Sequence, residues 1–131
     1  MRIWNTEAQV ACSNEFKAEI FAIDWSPCGS FLVVGDAKGQ VHSVDAASPE
    51  VEKTGQLKVV STVKHGSKVP GKTPWVQDVK ISPDAKLVAF GVHGGNSNVE
   101  LATVDAKSLR LRHTRSIDVA MHSALLHLDW S

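Results

Sequence analysis

The stretch of this 131-residue chain with the clearest chemical possibility is "GSKVPGKT", residues 66–73. It satisfies every specified position of the phosphate-binding pattern G-x-x-x-x-G-K-[ST] through Gly66, Gly71, Lys72 and Thr73. Such a loop holds a nucleotide because backbone N–H groups of the loop and of a following helix converge on the phosphates, so it needs a strand before it and a helix after it. "LKVVSTV" (57–63) alternates and is β-branched, which supplies the strand. The helix fails. Pro74 directly follows Thr73, and "PWVQDVKISPDAK" reaches Pro83 before an amphipathic helix can develop. No later apolar strand ends in a lone Asp that could serve magnesium. Residues 66–73 are therefore expected to be a connection between two strands, with a nucleotide-binding module as the less favoured alternative.

The other chemistry-bearing residues form no reactive pattern. His42, His65, His93, His113 and His127 are scattered without metal-ligand spacing. Asp36 and Asp129 have no sequence partner for paired-carboxylate catalysis and read as turn or network residues. Cys12 and Cys28 make neither a disulfide framework nor a zinc motif and suggest a reducing compartment. "GVHGGNSN" (91–98) lacks G-x-G-x-x-G and reads as a hairpin loop. No catalytic residue, cofactor or metal is expected. With 14 basic and 14 acidic residues, nothing global points to nucleic acid or an anionic membrane. No aromatic stripe suggests base stacking. "MRIWNTEAQV" has no signal-peptide core and no stretch approaches a membrane span, so a soluble intracellular protein without a small-molecule substrate is expected.

The elements that position these residues come from an internal repeat. "AIDWSPCGSFLVVGDAKGQVHSVDA" (22–46) aligns with "DVKISPDAKLVAFGVHGGNSNVELATVDA" (78–106) as strand, Ser-Pro turn, apolar strand ending in glycine, loop, strand. Ser26-Pro27 matches Ser82-Pro83, and "LVVG" (32–35) matches "VAFG" (88–91). "LLHLDWS" (125–131) begins a third copy, its Asp129-Trp130-Ser131 echoing Asp24-Trp25-Ser26. A fourth strand precedes each copy: 8–16, 57–63 and 108–117. Trp25, Trp130, Leu32, Val34, Val88 and Phe90 are expected in the core. Four short strands repeated at about fifty residues indicate propeller blades. The expected architecture is an all-β fragment of a β-propeller: 1–5 ending one blade, 8–46 and 57–106 as two blades, and 108–131 starting the next.

"RIWN" (2–5) resembles the end of a WD repeat, with Asn5 where that repeat usually has Asp. "VHSV" and "VELA" place Val44 and Ala102 where its tryptophan is expected, so the resemblance is to a degenerate WD repeat. "VQDVKISPDAKLVAFGVHGGNSNVELATVDAKS" followed by "MHSALLHLDWS" is similar to the blades of the echinoderm microtubule-associated-protein-like family. That resemblance is tight from about 76 to 131. It implies tandem propellers acting without catalysis as cytoplasmic, cytoskeletal scaffolds that contact tubulin, and for His122 a place in the structural hydrogen-bond network of WD repeats. A generic WD scaffold of another complex is the alternative.

The charge pattern adds a candidate surface. Between Lys53 and Gln77 the chain carries Lys53, Lys58, Lys64, Lys68 and Lys72 and no acidic residue. Between Lys107 and Ile117 it carries Arg110, Arg112 and Arg115. Lys58, Arg110 and Arg112 read as charges that block edge-to-edge strand pairing. Lys64, Lys68 and Lys72 fall on the connection between blades, beside the loop of His93, Asn96 and Asn98. These six are the candidate partner-binding residues, with an acidic protein such as tubulin as the expected partner.

Overall fold

The computed structural model describes residues 2–4, 10–13, 18–64, 75–93, 99–105 and 107–117. Strands β3 (Ile20–Trp25), β4 (Phe31–Asp36), β5 (Gln40–Asp45) and β6 (Lys58–Lys64) form one antiparallel sheet in chain order. Strands β7 (Trp75–Ile81), β8 (Leu87–His93), β9 (Val99–Val104) and β10 (Leu111–Ile117) form a second in the same order. Strands β1 (Arg2–Trp4) and β2 (Val10–Ser13) pair as a separate antiparallel ribbon. The fold is the all-β propeller fragment that the repeat implies.

Each Ser-Pro turn is closed by its serine. The N–H of Ser26 donates to the Phe31 carbonyl (2.9 Å), and Ser26 Oγ accepts the N–H of Phe31 (3.2 Å). Ser82 repeats both bonds with Leu87, at 2.8 and 3.0 Å. The turns need a left-handed residue, supplied by Gly29 (φ 74°) in one and by Ala85 (φ 60°) in the other.

The two sheets pack face to face. Ala22, Phe31, Val33 and Val41 meet Val76, Val79, Val88 and Phe90 in a shared buried core. The other face of the first sheet buries Leu32, Val34 and Val44 beneath Val51 and Leu57. Every residue of β4 is therefore buried, as expected for a strand covered on both faces. Burying one such Val or Leu contributes about 1.5–3 kcal/mol. At Gly35 the sheets approach so closely that an added Cβ would lie 2.7 Å from Val76 Cβ. Polar groups then fix the seam. Asp24 Oδ2 accepts the N–H of Ile81 (2.7 Å), Ser43 Oγ donates to the Leu109 carbonyl (2.6 Å), and the N–H of Leu111 donates to Ser61 Oγ (3.1 Å).

Three features differ from the sequence reading. First, each fourth strand closes the sheet of the three strands before it: β6 pairs with β5 and β10 with β9. The repeat frame had grouped residues 57–63 and 108–117 with the strands that follow. A repeat has the same period wherever its boundary is drawn, so hydrogen bonding alone decides the grouping. Second, Trp25 is 41% exposed rather than buried, as are its neighbours Phe21 (49%) and Ile23 (46%). Ile23 and Trp25 share a face of β3 that lies beyond the cover over Leu32 and Val34. Third, the chain forms a short helix, α1 (Pro49–Thr54), with Ser48 as N-cap and Gly55 (φ 71°) terminating it. As the sequence reading expects, the segment after Thr73 and Pro74 is strand β7, where a phosphate loop requires a helix. The nucleotide-binding alternative fails on that strand. The expected third copy, with His122, Asp129 and Trp130, lies outside the described residues, as does His65.

Candidate interaction surface

The connection that carries the predicted lysines leaves the first sheet at Lys64, an exposed residue paired with Gln40 at the end of β6. It enters the second sheet at Trp75, which lies opposite His93 at the end of β8. Trp75, which follows the connection, and His93, which precedes the loop between β8 and β9, thus lie at the same end of the second sheet. Lys68, Lys72, Asn96 and Asn98 lie outside the described residues. Beside Trp75, a recess of about 380 Å3 is lined by Phe21, Trp75 and Gln77.

Two of the scattered histidines bond to buried carboxylates. Asp36 Oδ1 accepts the N–H groups of Lys38 and Gln40, both at 2.9 Å, closing the turn between β4 and β5. Its Oδ2 lies 2.9 Å from His42 Nε2, and His42 Nδ1 lies 2.8 Å from Thr62 Oγ1. Carboxylate, imidazole and hydroxyl in this order can activate a nucleophile. Here the chain of bonds crosses three neighbouring strands within the sheet, and Asp36 and His42 are buried, so it fastens their register. The position of His42 in the first sheet is taken in the second by Glu100, fully buried and hydrogen-bonded to His113 Nε2. Among the described residues, no group of three His, Cys, Asp or Glu side chains is placed to hold a metal ion.

At the opposite end of the second sheet, the β9–β10 hairpin encloses a cleft of about 650 Å3 lined by Thr103, Asp105, Ser108, Arg110 and Arg112 over Leu111. Asp105 Oδ1 accepts the N–H groups of Lys107 (2.9 Å) and Ser108 (3.0 Å), which hold its carboxyl below the usual range. In the first Ser-Pro turn, Ser30 Oγ (3.0 Å) and Ser26 Oγ (3.6 Å) flank the exposed Cys28 sulfur and lower its pKa to about 7. Sequence spacing predicted neither feature. The arginines are visible there as an edge, but their cleft exists only once Arg112 stands opposite Thr103.

Residues 1–68 of the 131, just over half, match the family described as the anaphase-promoting complex subunit 4 WD40 domain. The chain belongs to this WD40 family. No curated protein matches the WD40 chain in sequence. Among solved structures, it is similar to a protein from Lactobacillus plantarum (TM-score 0.68, 15% identity, covering 89% of this chain and 34% of that one). It is also similar to the periplasmic gluconolactonase of Pseudomonas aeruginosa (0.63, 18%, 75% and 26%) and to the C-terminal WD40 domain of Sif2 (0.54, 19%, 77% and 26%). At these identities the likeness is one of fold. The WD40 chain spans about a quarter to a third of the length of these structures.

Proposed function

We propose that this WD40 chain is a non-catalytic protein-interaction module, acting in the cytoplasm on the cytoskeleton with tubulin or microtubules as its partner. The observation that carries the reading is the exposed charge of rigid strands. Lys58 and Lys64 on β6, and Arg112 and Arg115 on β10, are exposed at the outer edges of sheets whose cores and seams are fully engaged. A rigid scaffold with exposed cations favours encounter with an acidic protein and gives salt-sensitive affinity. Lys64, Lys68 and Lys72, with His93, Asn96 and Asn98, are the residues proposed to hold that partner.

A second reading keeps the scaffold and changes the partner. The family match over residues 1–68 names a subunit of a multi-protein complex, which favours assembly with other subunits over attachment to a filament. Co-sedimentation of the full chain with microtubules at low and moderate salt separates the two. The first reading predicts pelleting at low salt that declines as salt rises. A chain that stays in the supernatant at low salt contradicts it in favour of the second.

A further inference from the structure

The two sheets present different chemistry on the faces that correspond to one another. On the first sheet, Asp24, Ser43 and Ser61 receive the second sheet through one carboxylate and two hydroxyls, binding backbone groups of Ile81, Leu109 and Leu111. By strand register the same three positions on the second sheet hold Lys80, Leu101 and Arg115. The carboxylate is replaced by an ammonium and one hydroxyl by a guanidinium. Arg112 near the start of β10 and Arg110 just before it lie beyond Arg115, and these three are exposed and make no ion pair with another described residue. Arginine offers donors only. A group bound by these exposed arginines must therefore supply acceptors.

The end of this face is already shaped. The cleft of about 650 Å3 has Arg110 and Arg112 on its walls, with the hydroxyls of Thr103 and Ser108 beside them. Its one acid, Asp105, turns Oδ1 to the N–H groups of Lys107 and Ser108. The hairpin is held from both sides. The N–H of Leu109 donates to the Asp105 carbonyl (2.7 Å), Ser43 binds the Leu109 carbonyl, and Ser61 binds the N–H of Leu111. This over-determination keeps Leu109 at φ 58°, a conformation that a leucine rarely adopts. A strained loop tied to a second sheet presents its arginines with little ordering left to lose on binding.

We propose that this cleft is a binding site for the carboxylates of an extended acidic peptide segment of a partner protein, with Arg110 and Arg112 as the bidentate anchors and Arg115 extending the contact along β10. Guanidinium forks match carboxylates in plane and spacing. The site lies at the end of the second sheet opposite His93, so it is separate from the lysine connection. The inference rests on reading the chain as a protein-binding module and not on tubulin being the partner.

The test is fluorescence anisotropy of a labelled oligoglutamate peptide titrated with the full chain at low and moderate salt. Saturable binding is expected, weakened about tenfold by the double substitution Arg110→Gln and Arg112→Gln, in line with the loss of two solvent-exposed charged contacts. Arg110→Lys with Arg112→Lys should recover part of the affinity, since the charge returns without the fork. The control Lys38→Gln with Lys53→Gln removes equal charge from the β4–β5 turn and from α1, and should leave binding unchanged. Circular dichroism identical to the parent chain shows that each variant is folded. Absence of saturable binding, or equal weakening by the control pair, overturns the proposal. A parent chain that pellets with microtubules but shows no saturable peptide binding rejects this site alone, and the reverse pattern rejects only the tubulin reading.

Discussion

The carboxylate of Asp24 lies 2.7 Å from the backbone nitrogen of Ile81, a residue 57 positions away and in the other sheet. Both residues belong to the first strands of their sheets and precede matching Ser-Pro turns, so the bond ties the first strands of two successive repeat units. It converts an apolar contact, which would tolerate sliding, into a seam with one register. Ser43 and Ser61 repeat the device at the outer strands.

Replacing Asp24 by Ala should destabilise the chain by about 1–3 kcal/mol, because the N–H of Ile81 is left without its acceptor at a packed seam. Asn at this position keeps an amide oxygen and should cost less. Thermal unfolding followed by far-ultraviolet circular dichroism checks both. Equal midpoints for Asp24→Ala and the parent would show that the seam does not depend on this bond.

Gly35 marks the closest approach of the two sheets. An alanine there places its Cβ 2.7 Å from Val76 Cβ and 3.3 Å from Val79 Cγ1, and neither valine has room to retreat in a fully buried core. Gly35→Ala should therefore destabilise by about 1–3 kcal/mol through overpacking. The double variant Gly35→Ala with Val76→Ala should recover part of that loss. Chemical denaturation of both variants measures the effect.

Cys28 should alkylate faster than an ordinary thiol at neutral pH. Ser30 and then Ser26 hydrogen-bond to its sulfur and favour the thiolate, lowering the pKa from 9.0 to about 7. The sign follows: raising pH through 7 increases the reactive fraction, and Ser30→Ala moves the profile upward. Rates of iodoacetamide labelling against pH, resolved by peptide mass spectrometry, provide the check. A profile still rising between pH 8 and 9 would contradict the lowered value.

How far the sequence could be read depended on whether the deciding interaction was local. The Ser26 and Ser82 turns were visible because proline, small polar residues and flanking apolar strands lie within a few positions of one another. Helix α1 announces itself through Ser48-Pro49 at its start and Gly55 at its end, but six residues are too few to display a helical period. Alternation in β3 puts Ile23 and Trp25 on a common face, yet nothing in those residues says whether that face is covered. The partners of Asp24 and His42 lie 57 and 20 residues away, so neither the seam nor the Asp36–His42–Thr62 network follows from spacing. Of the candidate surface, Lys64 is exposed where the lysine connection begins, while the cleft of Arg110 and Arg112 depends on the register of β9 against β10.

The claim that the chain is a protein-binding module for an acidic partner is tested most directly by microtubule co-sedimentation of the triple variant Lys64→Glu, Lys68→Glu and Lys72→Glu beside the parent chain at low and moderate salt. The account predicts that the parent pellets at low salt, that added salt weakens this, and that the folded triple variant loses most of it. Unchanged pelleting by the variant, with its circular dichroism intact, would contradict the account.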